Sequence, residues 1–298
     1  MPWLQVHLLA DRSDTGQVED ALLDCGAVSV TLADSADDPI LEPGVGETPL
    51  WEVVRVTGLF ELPADQRAIS AHFSSLLPRY QAADLSWETV ADQPWERAWM
   101  DHFEPIQCGR RLWICPSWQD PPDPNAVNLR LDPGLAFGSG THPTTFLCLQ
   151  WLDGIDLAGK TVIDYGCGSG ILGIAALLLG AAKVIAVDND SQALTATRDN
   201  LERNGLAADR LAAWLPEEMP AATADILVAN ILAGPLINLG DRLAGLTAGG
   251  GRLCLSGITR QQAGEVMTAY PDFRFDPVVE RDDWVRLSAA KGNANRAD

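Results

Sequence analysis

Hydrophobic residues in the first 90 positions alternate in short stretches or recur at helical spacing. Alternation predicts strands, and apolar residues three or four apart predict helices. The predicted elements are strand 4–9, helix 15–24, strand 28–32, strand 51–61, helix 64–77 and strand 85–90. The order β-α-β-β-α-β is typical of a small ferredoxin-like α+β domain.

Beyond residue 105, apolar strand-like runs alternate with longer amphipathic or apolar helical stretches. The predicted strands are 112–116, 127–131, 161–164, 184–187, 211–214, 225–229 and 252–256, and the predicted helices are 144–152, 171–179 and 191–203. This alternation predicts a mostly parallel, doubly wound α/β sheet. The segment 273–287 has the pattern of a β-hairpin, which would add an antiparallel edge.

A short helix is predicted between these two regions, over residues 93–104. Pro94 suits the first turn of a helix, and Trp95, Trp99 and Phe103 fall on one helical face. Core packing is the favoured interpretation of this aromatic stripe, and a platform for a substrate is the alternative. The predicted domains are therefore 1–92 and 105–298, joined by this linker helix.

A glycine-rich turn between the first strand and helix of the second domain indicates a nucleotide site. Asp164 ends the strand, Gly166, Gly168 and Gly170 follow, and the next strand ends at Asp188. Glycines allow a sharp turn and a close ligand, and an acidic residue at the second strand can bind a ribose diol. The same spacing fits a dinucleotide, but a carboxylate at position 164 would repel a pyrophosphate and suits a cationic amino-acid moiety. The pattern resembles motif I of class I methyltransferases, which implies S-adenosyl-L-methionine as cofactor, with Gly166, Gly168 and Asp188 in contact with it.

Composition narrows the range of partners. The chain has 21 Lys plus Arg against 41 Asp plus Glu, a net charge of −20. Such a chain lacks a general basic surface for nucleic acid, so we expect no direct nucleic-acid readout. The charge could attract a basic partner, although solubility alone also explains it. The six cysteines have no metal-ligand spacing, and no signal peptide or apolar membrane span is evident, so a cytoplasmic protein without a metal is expected.

Asn230 is the main candidate for acceptor chemistry. It ends a predicted strand at the same sheet edge as Gly166 and Asp188, in the position where amino-methyltransferases hold the acceptor nitrogen. The chain has Asn-Ile-Leu-Ala there and lacks the aromatic residue of Asn-Pro-Pro-Tyr, which weighs against nucleobase and glutamine-amide acceptors. His142 could relay a proton or shape its loop, and Phe137 in the same glycine-rich loop could cover the cofactor.

Three motifs together resemble the PrmA family, bacterial methyltransferases of ribosomal protein eleven of the large subunit. They are Gly-Ser-Gly-Thr-His-Pro-Thr-Thr (138–145), Asp-Tyr-Gly-Cys-Gly-Ser-Gly-Ile-Leu-Gly (164–173) and Asn-Ile-Leu-Ala-Gly-Pro-Leu (230–236). The resemblance implies a class I methyltransferase fold, trimethylation of lysine and N-terminal amines, and an N-terminal domain that recognises the basic ribosomal protein. By resemblance, Thr145, Gly166, Asp188 and Asn230 would contact S-adenosyl-L-methionine.

Two other functions remain open at this point. The chain could methylate a small-molecule amine, with the N-terminal domain serving only as structure. It could also be a cofactor-binding interaction module without activity, although Asp164, Gly166, Gly168, Asp188 and Asn230 are all present. We expect a monomer with Asn230, and by hypothesis His142, in the catalytic roles.

Overall fold

The computed structural model describes residues 2–35, 50–90, 104–132, 140 and 142–292. The chain forms two compact units, residues 1–102 and 103–298. Apart from Glu104, the predicted linker helix lies outside the described residues, as do Phe137 and three residues of the 138–145 motif, at positions 138, 139 and 141. The predicted domain boundaries stay predictions.

The first unit has the predicted order of elements. They are β1 (Trp3–Asp11), α1 (Thr15–Asp24), β2 (Ser29–Asp34), β3 (Val53–Glu61), α2 (Gln66–Leu76) and β4 (Ser86–Val90). The strands pair antiparallel in the order β2-β3-β1-β4. Leu4, Val6 and Leu8 alternate along β1 and lie in the core below the helices. The predicted ferredoxin-like arrangement is confirmed.

The second unit begins with a three-stranded sheet of β5 (Ile106–Gln107), β6 (Leu112–Cys115) and β7 (Val127–Arg130). The elements that follow are α3 (Pro143–Asp153), β8 (Thr161–Tyr165), α4 (Ile171–Leu178), β9 (Lys183–Val187), α5 (Ser191–Arg203), β10 (Leu211–Trp214), β11 (Ala224–Asn230), α6 (Ala233–Asn238), α7 (Gly240–Leu246), β12 (Thr247–Thr259), α8 (Ala263–Thr268), β13 (Phe273–Phe275), β14 (Val279–Arg281) and β15 (Trp284–Lys291).

The main sheet of this unit has the order β10-β9-β8-β11-β12-β15-β13, with β14 also paired to β15. The strands from β10 to β12 are parallel, and β15 pairs antiparallel with β12, β13 and β14. The predicted mostly parallel sheet with an antiparallel edge is confirmed. The carboxyl ends of β8, β9 and β11 therefore lie at one edge of the sheet, together with the beginning of β15.

Apolar side chains on both faces of the sheet form two cores. Val162 of β8 packs in a cluster with residues of α3, α4 and α5, and its neighbour Ile163 packs in the opposite cluster with residues of α6, α7 and α8. This explains why the parallel strands are continuously apolar, as expected of strands that are covered on both faces.

The last part of the chain differs in detail from the sequence prediction. β12 extends over 13 residues, Thr247–Thr259, where only 252–256 was predicted, and a third strand, β13, joins the predicted hairpin. The run Gly249-Gly250-Gly251 indicates a turn by composition. The strand nevertheless spans it, because Thr247 and Arg252 on either side of the run both pair with β11, with a shift of register between them. Within the described residues, no helix is long and apolar enough to cross a membrane.

Candidate active site

The glycine turn between β8 and α4 has the backbone geometry that its sequence predicts. Gly166, Gly168 and Gly170 all have positive φ, at 76°, 53° and 77°, a region that L side chains rarely adopt. A Cβ on Gly166 would lie only 2.2 Å from Cγ2 of Ile231, the residue after Asn230. The turn therefore brings the ends of β8 and β11 closer together than any side chain at position 166 would allow.

Asp188 joins this turn to the end of β9. Its Oδ2 accepts a hydrogen bond from the Gly168 amide at 2.8 Å, and its Oδ1 accepts one from the Asp190 amide at 3.0 Å. The residue is half-buried. A carboxylate offers about four lone-pair sites, so Asp188 retains acceptor capacity for a ribose diol while it orients the turn.

Asp164 is a buried carboxyl group with one free oxygen. Its Oδ2 accepts a hydrogen bond from the Gly173 amide at 2.8 Å, whereas Oδ1 has no hydrogen-bond partner among the described residues. Burial raises the pKa of Asp164 to about 7; the Gly173 amide opposes this rise and the charge of Asp188 adds to it. A cationic group near Oδ1 would stabilise the ionised form.

Asn230 and Thr145 form a hydrogen-bonded pair between β11 and α3. The Asn230 Nδ2 donates to Thr145 Oγ1 at 3.1 Å. The Oδ1 of Asn230 is buried and has no partner among the described residues. Thr145 is fully buried. One donor of the amide is thus used and its acceptor oxygen is available, while the contact of Thr145 with a cofactor stays a prediction.

His142 stands at the N-terminus of α3. Its Nδ1 accepts a weak hydrogen bond from the Thr144 amide at 3.4 Å and lies 2.7 Å from Thr144 Oγ1. Its ring meets Trp284 edge-on, with centroids 4.8 Å apart. Burial lowers the pKa of His142, so the neutral ring is favoured at pH 7. These contacts support the loop-shaping alternative, and the proton-relay role stays a prediction.

Two side chains of α5 donate hydrogen bonds to backbone carbonyls of the glycine turn. The sequence analysis did not single out either residue. Thr197 Oγ1 donates to the Gly168 carbonyl at 3.0 Å, and Asn200 Nδ2 donates to the Ser169 carbonyl at 2.9 Å. Both side chains are buried. The signal in the sequence is two polar residues, three apart, at positions where the helical period requires core residues.

Cysteine and metal chemistry are not evident in the described parts of the chain. All six cysteines are free thiols, and no group of three His, Cys, Asp or Glu among the described residues could hold a metal ion. Burial strongly raises the pKa of Cys167 in the glycine turn, with the charge of Asp164 acting in the same direction. A protonated buried thiol is a poor nucleophile, which favours a packing role for Cys167 over a reactive one.

Known proteins resemble this chain over nearly its whole length. The family described as "Ribosomal protein L11 methyltransferase (PrmA)" matches residues 2–292. Proteins named ribosomal protein L11 methyltransferase are 56% identical over 99% of this chain in Cellvibrio japonicus and 55% identical over 98% in Pseudomonas putida, with 100% of each relative covered. A crystal structure of ribosomal protein L11 methylase from Lactobacillus delbrueckii subsp. bulgaricus is 33% identical, with a TM-score of 0.59, over 64% of this chain and 100% of that one.

Proposed function

Because the chain belongs to the ribosomal protein L11 methyltransferase (PrmA) family, we propose that it transfers methyl groups from S-adenosyl-L-methionine to lysine and N-terminal amines of ribosomal protein L11. The observation that carries this proposal is the Asn230 side chain. Its Nδ2 is bound to Thr145, and its buried Oδ1 has no partner among the described residues. An oriented amide oxygen of this kind suits an amine that donates a hydrogen bond.

The residues at the sheet edge fit S-adenosyl-L-methionine. The glycine turn has the positive φ angles that let the backbone turn sharply beside the strand ends, Asp188 has acceptor capacity for the ribose, and the free oxygen of Asp164 suits the cationic amino-acid portion. Family resemblance adds Thr145 and Asn230 to the set. When bound, the cofactor supplies a methyl group already activated on a sulfonium, so that an N–C bond forms as the S–C bond breaks.

The protein contributes positioning and control of the acceptor's protonation. A lysine amine in water has a pKa of about 10.4, and a site with low exposure to water favours its neutral form. Asn230 Oδ1 would accept one amine hydrogen and direct the nitrogen lone pair toward the methyl group, which is a gain in orientation. Because Nδ1 accepts from the Thr144 amide, the proton of the neutral His142 ring lies on Nε2, so His142 would receive a proton from the amine only after a change of tautomer.

The charge of the chain agrees with a basic protein as substrate. A net charge of −20 would speed encounter with a positively charged ribosomal protein and would oppose binding to nucleic acid. We assign recognition of the substrate to the N-terminal ferredoxin-like domain. We also propose a soluble, cytoplasmic monomer, in keeping with the predictions made from the sequence.

Methylation of a small-molecule amine is the alternative, and acceptor preference distinguishes the two. The full-length enzyme is given purified L11, a short lysine-containing peptide or free lysine at matched amine concentrations, and initial methyl-transfer rates are measured. We expect kcat/KM for L11 to exceed that for free lysine by about 100-fold or more, because only the protein can use remote binding energy. Equal kcat/KM values for the three acceptors would contradict a protein substrate.

A further inference from the structure

Arg286 of β15 is a buried guanidinium with few partners. Only 9% of the residue is exposed. Its Nη1 donates to the Leu147 carbonyl of α3 at 3.3 Å, while its Nε has no hydrogen-bond partner among the described residues. No carboxylate of the described residues forms an ion pair with it. Burying an unpaired charge is costly, and the flanking residues Val285 and Leu287 are apolar and buried.

The position of Arg286 relates it to the active-site edge. β15 runs antiparallel to β12, so its beginning lies beside the end of that strand, where Leu287 pairs with Leu255. Asn230 of β11 pairs with Ser256 of β12 at the same level of the sheet. Arg286 therefore lies two strands from Asn230, at the same edge.

The same face of β12 and β15 supports helix α3. Cys254 of β12 lies opposite Ser288 of β15, and its Sγ is 3.9 Å from Sγ of Cys148 in α3. The hydrogen bond with Cys254, and then burial, raise the pKa of Cys148, and the charge of Arg286 opposes this rise. The guanidinium thus lies directly beneath the helix that carries Thr145.

Two residues of the hairpin formed by β14 and β15 also contact the beginning of α3. The Arg281 guanidinium carbon lies 3.8 Å from the centroid of the Phe146 ring, and Trp284 meets the His142 ring. The hairpin therefore contacts α3 on both sides of Thr145 in the sequence. Thr145 is the residue that receives the hydrogen bond from the Asn230 amide.

We propose that Arg286 is a positioning residue for methyl transfer. It holds the Leu147 turn of α3 so that Thr145 keeps the Asn230 amide in a single orientation, with Oδ1 available to the acceptor amine. This inference rests on the proposed function of Asn230. It explains why a charged residue occupies a buried position where methionine or leucine would be less destabilising. Residues that reduce stability in this way are expected at functional sites.

The test compares Arg286→Met, Arg286→Lys and a control, Arg274→Met, which removes an exposed arginine from β13 of the same sheet. For Arg286→Met we expect an unchanged or higher melting temperature, because a buried charge is removed. We also expect a kcat about 10- to 100-fold lower, the range found when a group that orients a metal ligand is lost. Arg286→Lys keeps the charge and a donor and should recover most of kcat. KM for L11 should change less than about threefold. Kd for S-adenosyl-L-methionine should change less than kcat does, since the glycine turn and Asp188 are untouched.

A second measurement does not depend on turnover. The side-chain amide NMR signal of Asn230, identified by its absence in Asn230→Ala, should shift in Arg286→Met, return toward its original position in Arg286→Lys and stay in place in Arg274→Met. If the wild-type enzyme did not methylate L11, the proposed function would be contradicted, and this NMR experiment would still test the role of Arg286. Four results would each overturn the role of Arg286. In Arg286→Met these are an Asn230 signal that does not move, a wild-type kcat, or a loss confined to the cofactor Kd. The fourth is an Arg286→Met protein that fails to fold.

Discussion

Gly166 is subject to two separate restrictions, a positive φ and a lack of space for a side chain. In Gly166→Ala, the left-handed backbone costs about 1–2 kcal/mol, and the new Cβ would lie 2.2 Å from Ile231 Cγ2. We expect Gly166→Ala to lower the melting temperature and to weaken cofactor binding, measured by isothermal titration calorimetry, because Ile231 must move together with the end of β11.

Gly159→Ala is the matched control for this prediction. Gly159 has a similar φ of 70°, and a Cβ there would meet no atom within 4 Å. The control should reproduce the loss of stability from the backbone and leave the cofactor Kd unchanged. Equal Kd values for the two variants would show that the contact with Ile231 has no part in shaping the cofactor site.

Asp164 should make stability depend on pH across the neutral range. Its pKa is raised from 3.8 to about 7 in the folded protein, so between these values the folded state holds a proton that the unfolded state has released. The free energy of unfolding should therefore fall as pH rises from about 4 to about 7. Asp164→Asn cannot titrate, so its stability relative to wild type should increase over this range, by up to roughly 4 kcal/mol, and level off above pH 7.

Urea unfolding at several pH values measures this difference. Asp199→Asn, an exposed carboxyl on α5, is the control and should track the wild type throughout. A stability difference between Asp164→Asn and wild type that is constant from pH 4 to pH 8 would show that Asp164 is already ionised in the folded protein at low pH.

Residues in local motifs could be predicted, and residues defined by distant contacts could not. Gly166, Asp188 and Asn230 lie at strand ends, where the spacing along the chain already predicts a ligand site. Arg286 is 139 positions from its acceptor, Leu147, and a single arginine in an apolar strand has no local pattern that names its partner. Thr197 is an intermediate case, because its helical phase indicates burial but does not identify Gly168.

At the scale of elements, helix α5 supports the glycine turn through two side chains. Thr197→Val removes the hydroxyl that donates to the Gly168 carbonyl and keeps the branched shape of the side chain. Losing one such hydrogen bond costs about 0.5–1.5 kcal/mol, and the turn that should hold the cofactor loses its support. We therefore expect the cofactor Kd to rise by about 3- to 10-fold in calorimetric titrations.

Thr195→Val is the control on the same helix. The Thr195 hydroxyl is exposed and donates to Ser191, within α5 itself. Its loss should leave the cofactor Kd as in the wild type. If both valine variants bound the cofactor like the wild type, α5 would be only a packing element.

Helix α5 and strand β10 were predicted to the residue, and in α5 clear signals mark both ends. Asp190 caps α5 by accepting from the Gln192 amide, and Asn204-Gly205 ends it. The short helices α6, α7 and α8 were not predicted. They contain six or seven residues each, with Gly or Pro inside, so neither length nor period distinguishes them from loops. Tertiary packing against the sheet stabilises them instead.

At the scale of the whole molecule, the acidic charge should affect how the enzyme meets its substrate. With a net charge of −20 and a basic ribosomal protein as partner, association should be accelerated by long-range attraction, which salt screens. We expect kcat/KM for L11 to fall by about 5-fold or more when the ionic strength is raised from a low value to about 0.5 M. Cofactor Kd, measured in the same buffers, should change far less, and a kcat/KM that is independent of salt would rule out electrostatic steering.

Intact-mass spectrometry of L11 tests the central claim most directly. Purified L11 is incubated with S-adenosyl-L-methionine and either the wild-type enzyme or Asn230→Ala, whose fold is checked by circular dichroism. The wild type should raise the mass of L11 in steps of one methyl group, and Asn230→Ala should be slower by about 100-fold or more. An unchanged L11 mass with a wild-type enzyme that binds the cofactor would contradict the substrate, and equal methylation by both enzymes would contradict the role of Asn230.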